Sequence, residues 1–581
     1  MSEENKIIYF AKTNTRDRLT FGIKEKDRTR HTYIIGKTGT GKTTLQENMA
    51  IQDIRNGEGV AVIDPHGSFV EKMLDYVPKE RIKDVIYINP SDMDNPVALN
   101  IMEDVDGDQM HLVASGLMGV FKKMWPDVWS ARMEYILNNT LLALLEYPEA
   151  TLLGVNRMFS DKEYRKAVVE NVKDPIVKDF WVKEYAGYTE RFAAEATPAI
   201  QNKVGQFTSN PLVRNIIGQP KSSFSFRHAM DERKIVLINL SKGRIGELNS
   251  SLLGALLVTK IYLASMSRAK EPGKQFPDFY FYVDEFQNFA AESFENILSE
   301  SRKYGLALIL AHQYIAQMPE GVRDAVFGNV GTQIVFRVGP ADAQVLEIEF
   351  TPEFLADDIV NLGFTNIYLK LLIDGEPSRP FSASTLPPME PNEESYREEI
   401  IENSRKLYCT PIGKIEEDIS KWHEPIKKKT SSDGGGKEKE GEKPDEEERT
   451  APKLFESECS VCGKRTVVPF EPDGKRPIFC AKHRSYIADA PTPTPAEQPK
   501  KPAPKIEVKE SNTSLRGLEN KTIGFRKNFE RKKEKTSPDF KGLRELLADM
   551  TSTEKKETEP SFVEAMDGKE KILKPGDSIK L

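Results

Sequence analysis

Residues 36–43 read Gly-Lys-Thr-Gly-Thr-Gly-Lys-Thr, and no other stretch restricts the fold of this chain so strongly. The spacing G-x-x-x-x-G-K-[ST] describes a loop whose backbone N–H groups curl around phosphate, which requires a strand before it and a helix after it. Both flanks fit: Tyr33-Ile34-Ile35 is a strand-like run, and Thr44 to Arg55 carries a helical pattern. The helix N-terminus adds partial positive charge. Gly36, Lys37, Thr38, Gly39, Thr40 and Gly41 form the cradle, Lys42 is placed to reach the β- and γ-phosphates, Thr43 to hold Mg²⁺ through its hydroxyl, and Thr44 follows at the helix start.

A strand–loop–helix start predicts an α/β protein. Apolar runs predict strands at 32–35, 59–63 and 85–88, with helices between them. From 104 to 231 the strand signal fades. Apolar residues there recur at helical spacing (Met133, Ile136, Leu137, Leu141, Leu144), which predicts an inserted all-α subdomain with Trp125, Trp129 and Trp181 in its core. Strands resume at 234–240, 279–283, 306–310, 333–336 and 366–372, with helices at 248–266 and 293–303. Alternation of this kind implies a mostly parallel sheet covered on both faces. The expected organisation is therefore 1–103 and 232–425 as two parts of one nucleotide-binding domain, with 104–231 inserted between them. Residues 426–454 read as a disordered linker, 455–488 as a small metal module, and 489–581 as a charged tail with one short helix at 539–550.

Phe279 to Val283 is apolar and ends in Asp284-Glu285, the form of a Walker B strand. Asp284 is placed to hold the Mg²⁺ shell, and Glu285 to act as general base on the attacking water. The strand at 306–310 delivers Gln313, either a sensor of the γ-phosphate or an ordinary strand-end amide. Arg337 ends the next strand, either as a finger completing a neighbouring subunit's site, worth about 10³–10⁵ in rate, or as a structural ion pair. The core lacks an Asn-Lys-x-Asp guanine signature, so ATP is preferred over GTP. It also lacks G-x-S-x-G and H-E-x-x-H, which argues against serine-hydrolase and zinc-protease chemistry.

Cys459-x-x-Cys462 and Cys480-x-x-His483 are separated by seventeen residues, a pairing that fits one closed, structural Zn²⁺. So small a unit hardly folds on its apolar core alone, whereas zinc contributes on the order of 10–16 kcal/mol of apparent binding energy. The net charge of −7 gives no global basic field, so any contact with nucleic acid must be local. No signal-peptide pattern opens the chain and no apolar run reaches a bilayer's length, because Lys260 interrupts the longest, 251–266. A cytoplasmic protein is expected.

Taken together, the runs Ile34 to Thr43, Ile63-Asp64-Pro65-His66-Gly67, Val283-Asp284-Glu285-Phe286-Gln287-Asn288-Phe289 and Ala311-His312-Gln313 resemble the FtsK–HerA superfamily of ATP-driven DNA pumps, and within it the TraD/TraG-like coupling proteins of type IV secretion systems. The resemblance spans roughly 18–384 and implies a RecA-like P-loop NTPase core, an all-α insert, a homo-hexameric ring and DNA drawn through its channel. By position it implies phosphate and Mg²⁺ roles for Lys42, Thr43 and Asp284, the base role for Glu285, sensing by Gln313 and a finger at Arg337. Relaxase or secretion-channel proteins are the partners it suggests. The sequence departs from the family in lacking the membrane helices with which many coupling proteins begin, which suggests either attachment to the inner membrane through a partner or a cytoplasmic DNA translocase. The thirty-odd residues before the P-loop also leave no room for the β-barrel of HerA-type pumps. A motor for protein secretion or pilus assembly that moves no DNA stands as the alternative. The 455–488 unit resembles short zinc-ribbon or treble-clef modules.

Overall fold

The computed structural model describes residues 6–424, apart from 104, 106, 190, 193–195 and 292–293, together with 455–468 and 478. These fall in two compact units divided after Gly435. The linker at 426–454 and the whole tail at 489–581, with its expected helix at 539–550, lie outside the described residues.

The first unit is built on one eleven-stranded sheet in the order β2-β1-β13-β10-β9-β3-β8-β7-β4-β6-β5. The seven strands from β9 to the β5 edge are parallel: β9 (Thr332–Val335), β3 (Thr32–Ile35), β8 (Leu306–His312), β7 (Phe279–Val283), β4 (Gly59–Asp64), β6 (Ile235–Asn239) and β5 (Val85–Ile88). Buried on both faces, these strands are apolar without alternation, which is why they stand out in the sequence. Their side chains nonetheless sort by parity. Ile35, Ile63, Phe281, Val283 and Leu308 enter one core, and Ile34, Val62, Tyr282 and Ile309 the other. The first core holds the long helix Glu247–Met266 and the second holds the P-loop helix Lys42–Arg55. The P-loop strand β3 and the acid-bearing strand β7 are separated by β8 alone, the order of a RecA-like P-loop NTPase core.

Four antiparallel strands extend this sheet: β10 (Asn366–Lys370), β13 (Phe381–Thr385), β1 (Ile7–Thr13) and β2 (Thr20–Lys24). Sequence periodicity does not reveal β1, β2 or β13. The expected strand 366–372 also stops at Lys370, and Leu372–Ile373 (β11) pairs instead with Glu376–Pro377 (β12). The expected helix 293–303 is shorter, running over Phe294–Glu300 and tightening to a 3₁₀ turn at Ser301–Tyr304.

Between β5 and β6 the described elements are all helical, from Met110–Met124 to Phe226–Asp231. Trp125 and Trp181 are buried there and Trp129 packs at the edge. Helix Met110–Met124 lies against Glu247–Met266 at very short range, since a Cβ on Gly116 would stand 2.7 Å from the Thr259 methyl. By length and composition the segment Glu247–Lys270 could cross a membrane, although Lys260 interrupts its apolar run. In the fold 61% of its apolar window is buried as a core helix, and Lys260 extends its ammonium to Asn100 O and Ser222 Oγ.

Three further contacts tie the first unit together. Arg28, just ahead of β3, forms a bidentate pair with Asp53 of the P-loop helix (2.6 and 2.7 Å), donates to Tyr282 Oη of β7 (3.0 Å) and stacks over the Tyr280 ring at 3.7 Å. Helix Arg397–Tyr408 covers the β5 edge, where Ser404 Oγ accepts from Tyr87 N–H at 2.8 Å. The following helix, Ile412–Trp422, sets Ile415, Ile419 and Trp422 against Leu153 of the helical insert. In the second unit the described strands, β14 (Phe455–Glu458) and β15 (Arg465–Val468), form an antiparallel hairpin.

Candidate active site

The loop after β3 is held between two neighbouring strand ends. Gly36 N–H donates to His312 O (3.2 Å), and Lys37 N–H donates to Arg337 O (2.9 Å). Gly36 has to be glycine, because a Cβ there would stand 2.5 Å from Phe336 Cβ. Gly41 caps the helix at φ 114°, a conformation that side chains resist, and so aims the N-terminus of Lys42–Arg55 at the carboxyl edge of the sheet. The first-turn N–H groups of that helix have no intrahelical acceptors and point into the cradle. Lys37, Thr38 and Gly39 form its exposed rim, Thr40 Oγ1 closes it on Lys37 O at 2.7 Å, and Thr44 is half-buried one residue beyond Thr43. Lys42 is buried, with its ammonium donating to Gly36 O (2.7 Å) and Lys37 O (3.2 Å). Burial lowers the Lys42 pKa, and Glu285 and Asp284 act in the opposite sense.

At the end of β7, Thr43 Oγ1 lies 3.4 Å from Asp284 Oδ2. Burial is the main force raising the Asp284 pKa, to about 7, followed by Asp64 and Glu285. Asp64 ends the adjacent strand β4 and is committed to its own turn, accepting from His66 N–H and Phe69 N–H, each at 2.7 Å. Glu285 has φ 47°, a left-handed conformation that costs about 1–3 kcal/mol in a residue with a side chain. The turn offsets that cost with hydrogen bonds. Gln313 Nε2 donates to Glu285 Oε1 (2.6 Å), Gln287 Nε2 donates to Oε2 (2.7 Å), and Asn288 donates to the Glu285 carbonyl from both N (3.0 Å) and Nδ2 (2.8 Å). Both oxygens of the carboxylate are thereby fixed beside Lys42.

Lys42, Thr43, Asp284, Glu285 and Gln313 thus come together at one strand edge. Two acids crowd one ammonium and one hydroxyl, a donor set that fits a triphosphate with a divalent cation. Gln313 sits one residue past β8, which runs two residues further than expected, to His312. Buried His312 places Nδ1 3.1 Å from Tyr33 Oη, and burial followed by Lys42 pulls its pKa to about 3, which keeps the ring neutral. Arg337 joins the loop through its carbonyl, while its side chain is exposed and makes no ion pair among the described residues. Sequence reasoning gave no role to Gln287. Its signal was its place two residues after Glu285, which means little until the positive φ of Glu285 turns that spacing into contact.

In the second unit, Cys459 N–H donates to Lys464 O (2.9 Å) and Gly463 N–H to Cys459 O (2.8 Å), with Gly463 at φ 66°. Cys459 and Cys462 therefore flank a tight knuckle, the turn that a shared metal requires. Ile478 closes on the knuckle, its N–H donating to Ser460 Oγ at 3.0 Å. Cys480 and His483 lie outside the described residues.

Residues 20–347 match a family model described as the type IV secretion-system coupling protein DNA-binding domain. Residues 453–482 match a probable treble clef zinc finger, which selects the treble clef from the two module types expected and takes in Cys459, Cys462 and Cys480. No curated protein matches the chain. Among solved structures it is similar to the plasmid coupling protein TrwB in complex with ADP and Mg²⁺ (12% identity, covering 68% of this chain and 98% of that one, TM-score 0.48). It is also similar to the bacterial conjugative coupling protein TrwBdeltaN70 (13%, 66% and 90%, TM-score 0.47). A third similarity is to VirB4 of Thermoanaerobacter pseudethanolicus (13%, 67% and 97%, TM-score 0.45).

Proposed function

This chain belongs to the type IV secretion-system coupling protein DNA-binding domain family, and on that premise we propose that it is an ATP-hydrolysing DNA translocase, working as a homo-hexameric ring through which DNA is pumped. The observation that carries the hydrolytic part is the fixing of both Glu285 oxygens, by Gln313 and Gln287, beside Lys42 and Asp284. A carboxylate carried on a left-handed backbone and held by two amides is a positioned base, and such groups contribute about 10²–10⁴ in rate.

In this reading the cradle from Gly36 to Thr44 holds the phosphates. Lys42 exchanges its two carbonyl acceptors for phosphate oxygens of greater charge. Glu285 takes the proton of the water that attacks the γ-phosphorus, and ADP leaves as the β–γ bridging bond breaks. Gln313, bonded to Glu285, registers whether the γ-phosphate is present. Mg²⁺, held by Thr43 and Asp284, would neutralise charge on the phosphates when bound. Arg337, exposed at the rim of the loop, supplies a finger within the ring. Zn²⁺ would be held by Cys459, Cys462, Cys480 and His483 as a structural centre of the treble clef. The protein acts in the cytoplasm, reaching the inner membrane through a partner such as a secretion-channel protein, with a relaxase as a further partner.

The test is ATPase activity of the full chain with and without single- or double-stranded DNA, paired with native mass measurement. Stimulation by DNA, abolition by Lys42→Ala and a six-subunit mass support the proposal. Hydrolysis indifferent to DNA favours a motor for protein secretion or pilus assembly. Absence of hydrolysis under every condition refutes both.

A further inference from the structure

The turn that carries Glu285 is held from the helical insert as well as from its own domain. Lys123, near the end of helix Met110–Met124, extends its ammonium out of the insert and donates to the backbone carbonyl of Gln287 at 2.9 Å. Gln287 in turn donates from Nε2 to Glu285 Oε2 at 2.7 Å, and its own Oε1 is buried without a hydrogen-bond partner. The Gln287 side chain therefore has a single tether, the carboxylate itself, and its placement comes from its backbone. Lys123 grips that backbone. Two residues on, Phe289 lies against Gly254 of the core helix so closely that a Cβ on Gly254 would meet its ring at 2.2 Å. The same core helix meets Met110–Met124 at the Gly116–Thr259 contact. Insert, core helix and turn thus meet without slack.

The site is an expensive place to keep a lysine. Burial and the neighbouring Lys242 pull the Lys123 pKa down to about 7, and no carboxylate pairs with it among the described residues. For packing alone a methionine would serve as well.

We propose that Lys123 is a positioning residue for hydrolysis: by holding the Gln287 carbonyl it sets the Gln287 amide on Glu285, so that the insert, and not the nucleotide-binding domain alone, fixes the geometry of the base. This rests on the ATPase reading given above. Supporting groups of this kind act on rate through orientation, not on ground-state affinity.

The test is Lys123→Met in the full chain, with kcat and KM for ATP read beside the Kd of a fluorescent ATP analogue. The expected result is a fall in kcat of tenfold or more with Kd within twofold of wild type, and partial recovery in Lys123→Arg. Gln287→Ala is expected to lower kcat as well, and adding Lys123→Met to it to cost less than threefold more, since both variants break one chain of contacts. Should Lys123→Met not fold, Lys123→Gln keeps a polar end at the same place and is read in the same way. An unchanged kcat, a parallel loss of nucleotide binding, or fully multiplicative effects in the double variant would each overturn the assignment. Wild-type protein that turns over ATP while Lys123→Met matches it sinks this inference alone. Wild-type protein that hydrolyses nothing sinks the functional reading, and this inference falls with it.

Discussion

Replacing Arg28 by methionine should destabilise the first unit by about 3–5 kcal/mol, the usual cost of leaving one member of a buried ion pair alone. The side chains of Arg28 and Asp53 are 2% and 0% exposed, so neither charge can fall back on water. At an effective dielectric of about 20, two unit charges about 4 Å apart attract by about 4 kcal/mol, enough to offset part of their desolvation. Burial works against the Arg28 charge, yet Asp53 and Tyr282 hold its pKa well above the ordinary guanidinium value. Arg28→Met removes the guanidinium partner but leaves the Asp53 carboxylate with the Tyr282 hydroxyl alone. Removing both charges is different: Arg28→Met with Asp53→Leu should cost at least 2 kcal/mol less than the sum of the single variants. Urea unfolding followed by tryptophan fluorescence is the assay, and all four tryptophans lie between residues 125 and 422 and so report on this unit. A loss below about 1 kcal/mol for Arg28→Met, or strict additivity in the double variant, would falsify the reasoning.

Glu285→Gln should keep nucleotide affinity while lowering kcat by about 10²–10⁴, and a variant that hydrolyses at the wild-type rate would remove the base from the mechanism. Gly36→Ala should weaken nucleotide binding at least about tenfold by fluorescence titration, because its Cβ would stand 2.5 Å from Phe336 Cβ; an unchanged Kd contradicts this. Stability should fall in acid partly through His31, whose pKa burial lowers from 6.5 to about 4. The unfolded chain binds that proton below about pH 6.5 and the folded chain only below about 4, so the contribution is complete above 6.5 and drains away towards 4. This amounts to about 2 kcal/mol between pH 7 and 5, and His31→Gln should flatten the profile by that amount; an equal slope in the variant counts against it. Metal analysis should find one zinc per chain, lost in Cys459→Ser, and a wild-type chain without zinc would rule out the metal centre.

The sequence shows most plainly what is buried on both sides. Strands β3, β4, β6, β7 and β8 are continuous apolar runs because two cores claim alternate residues of each. Strands β1, β2 and β13 escape notice for the opposite reason. They are half-exposed and mixed in polarity, and β1 pairs Ala11 with Thr385, a partner that no local window contains. The P-loop and the acid pair were legible because phosphate chemistry fixes residue type and spacing together. The parts of Gln287 and Lys123 were not, since both depend on a left-handed turn at Glu285 and on a helix more than 160 residues earlier in the chain. Lys260 shows how a correct local observation can leave the setting open. It does interrupt an apolar run, but that run is a core helix whose charge finds a polar corner beside Asn100.

The antiparallel rim of the sheet bears on how this protein can be handled. A fragment trimmed to residues 20–347 would delete β1 and stop before β10 and β13, stripping the outer wall from β9. The bared strand, Thr332–Val335, immediately precedes Phe336, against which Gly36 is seated, so its raw amides would invite association with other copies and loosen the phosphate cradle in the same stroke. Expression trials that respect sheet borders, keeping everything from Ile7 through Thr385, would spare the experimenter that artefact.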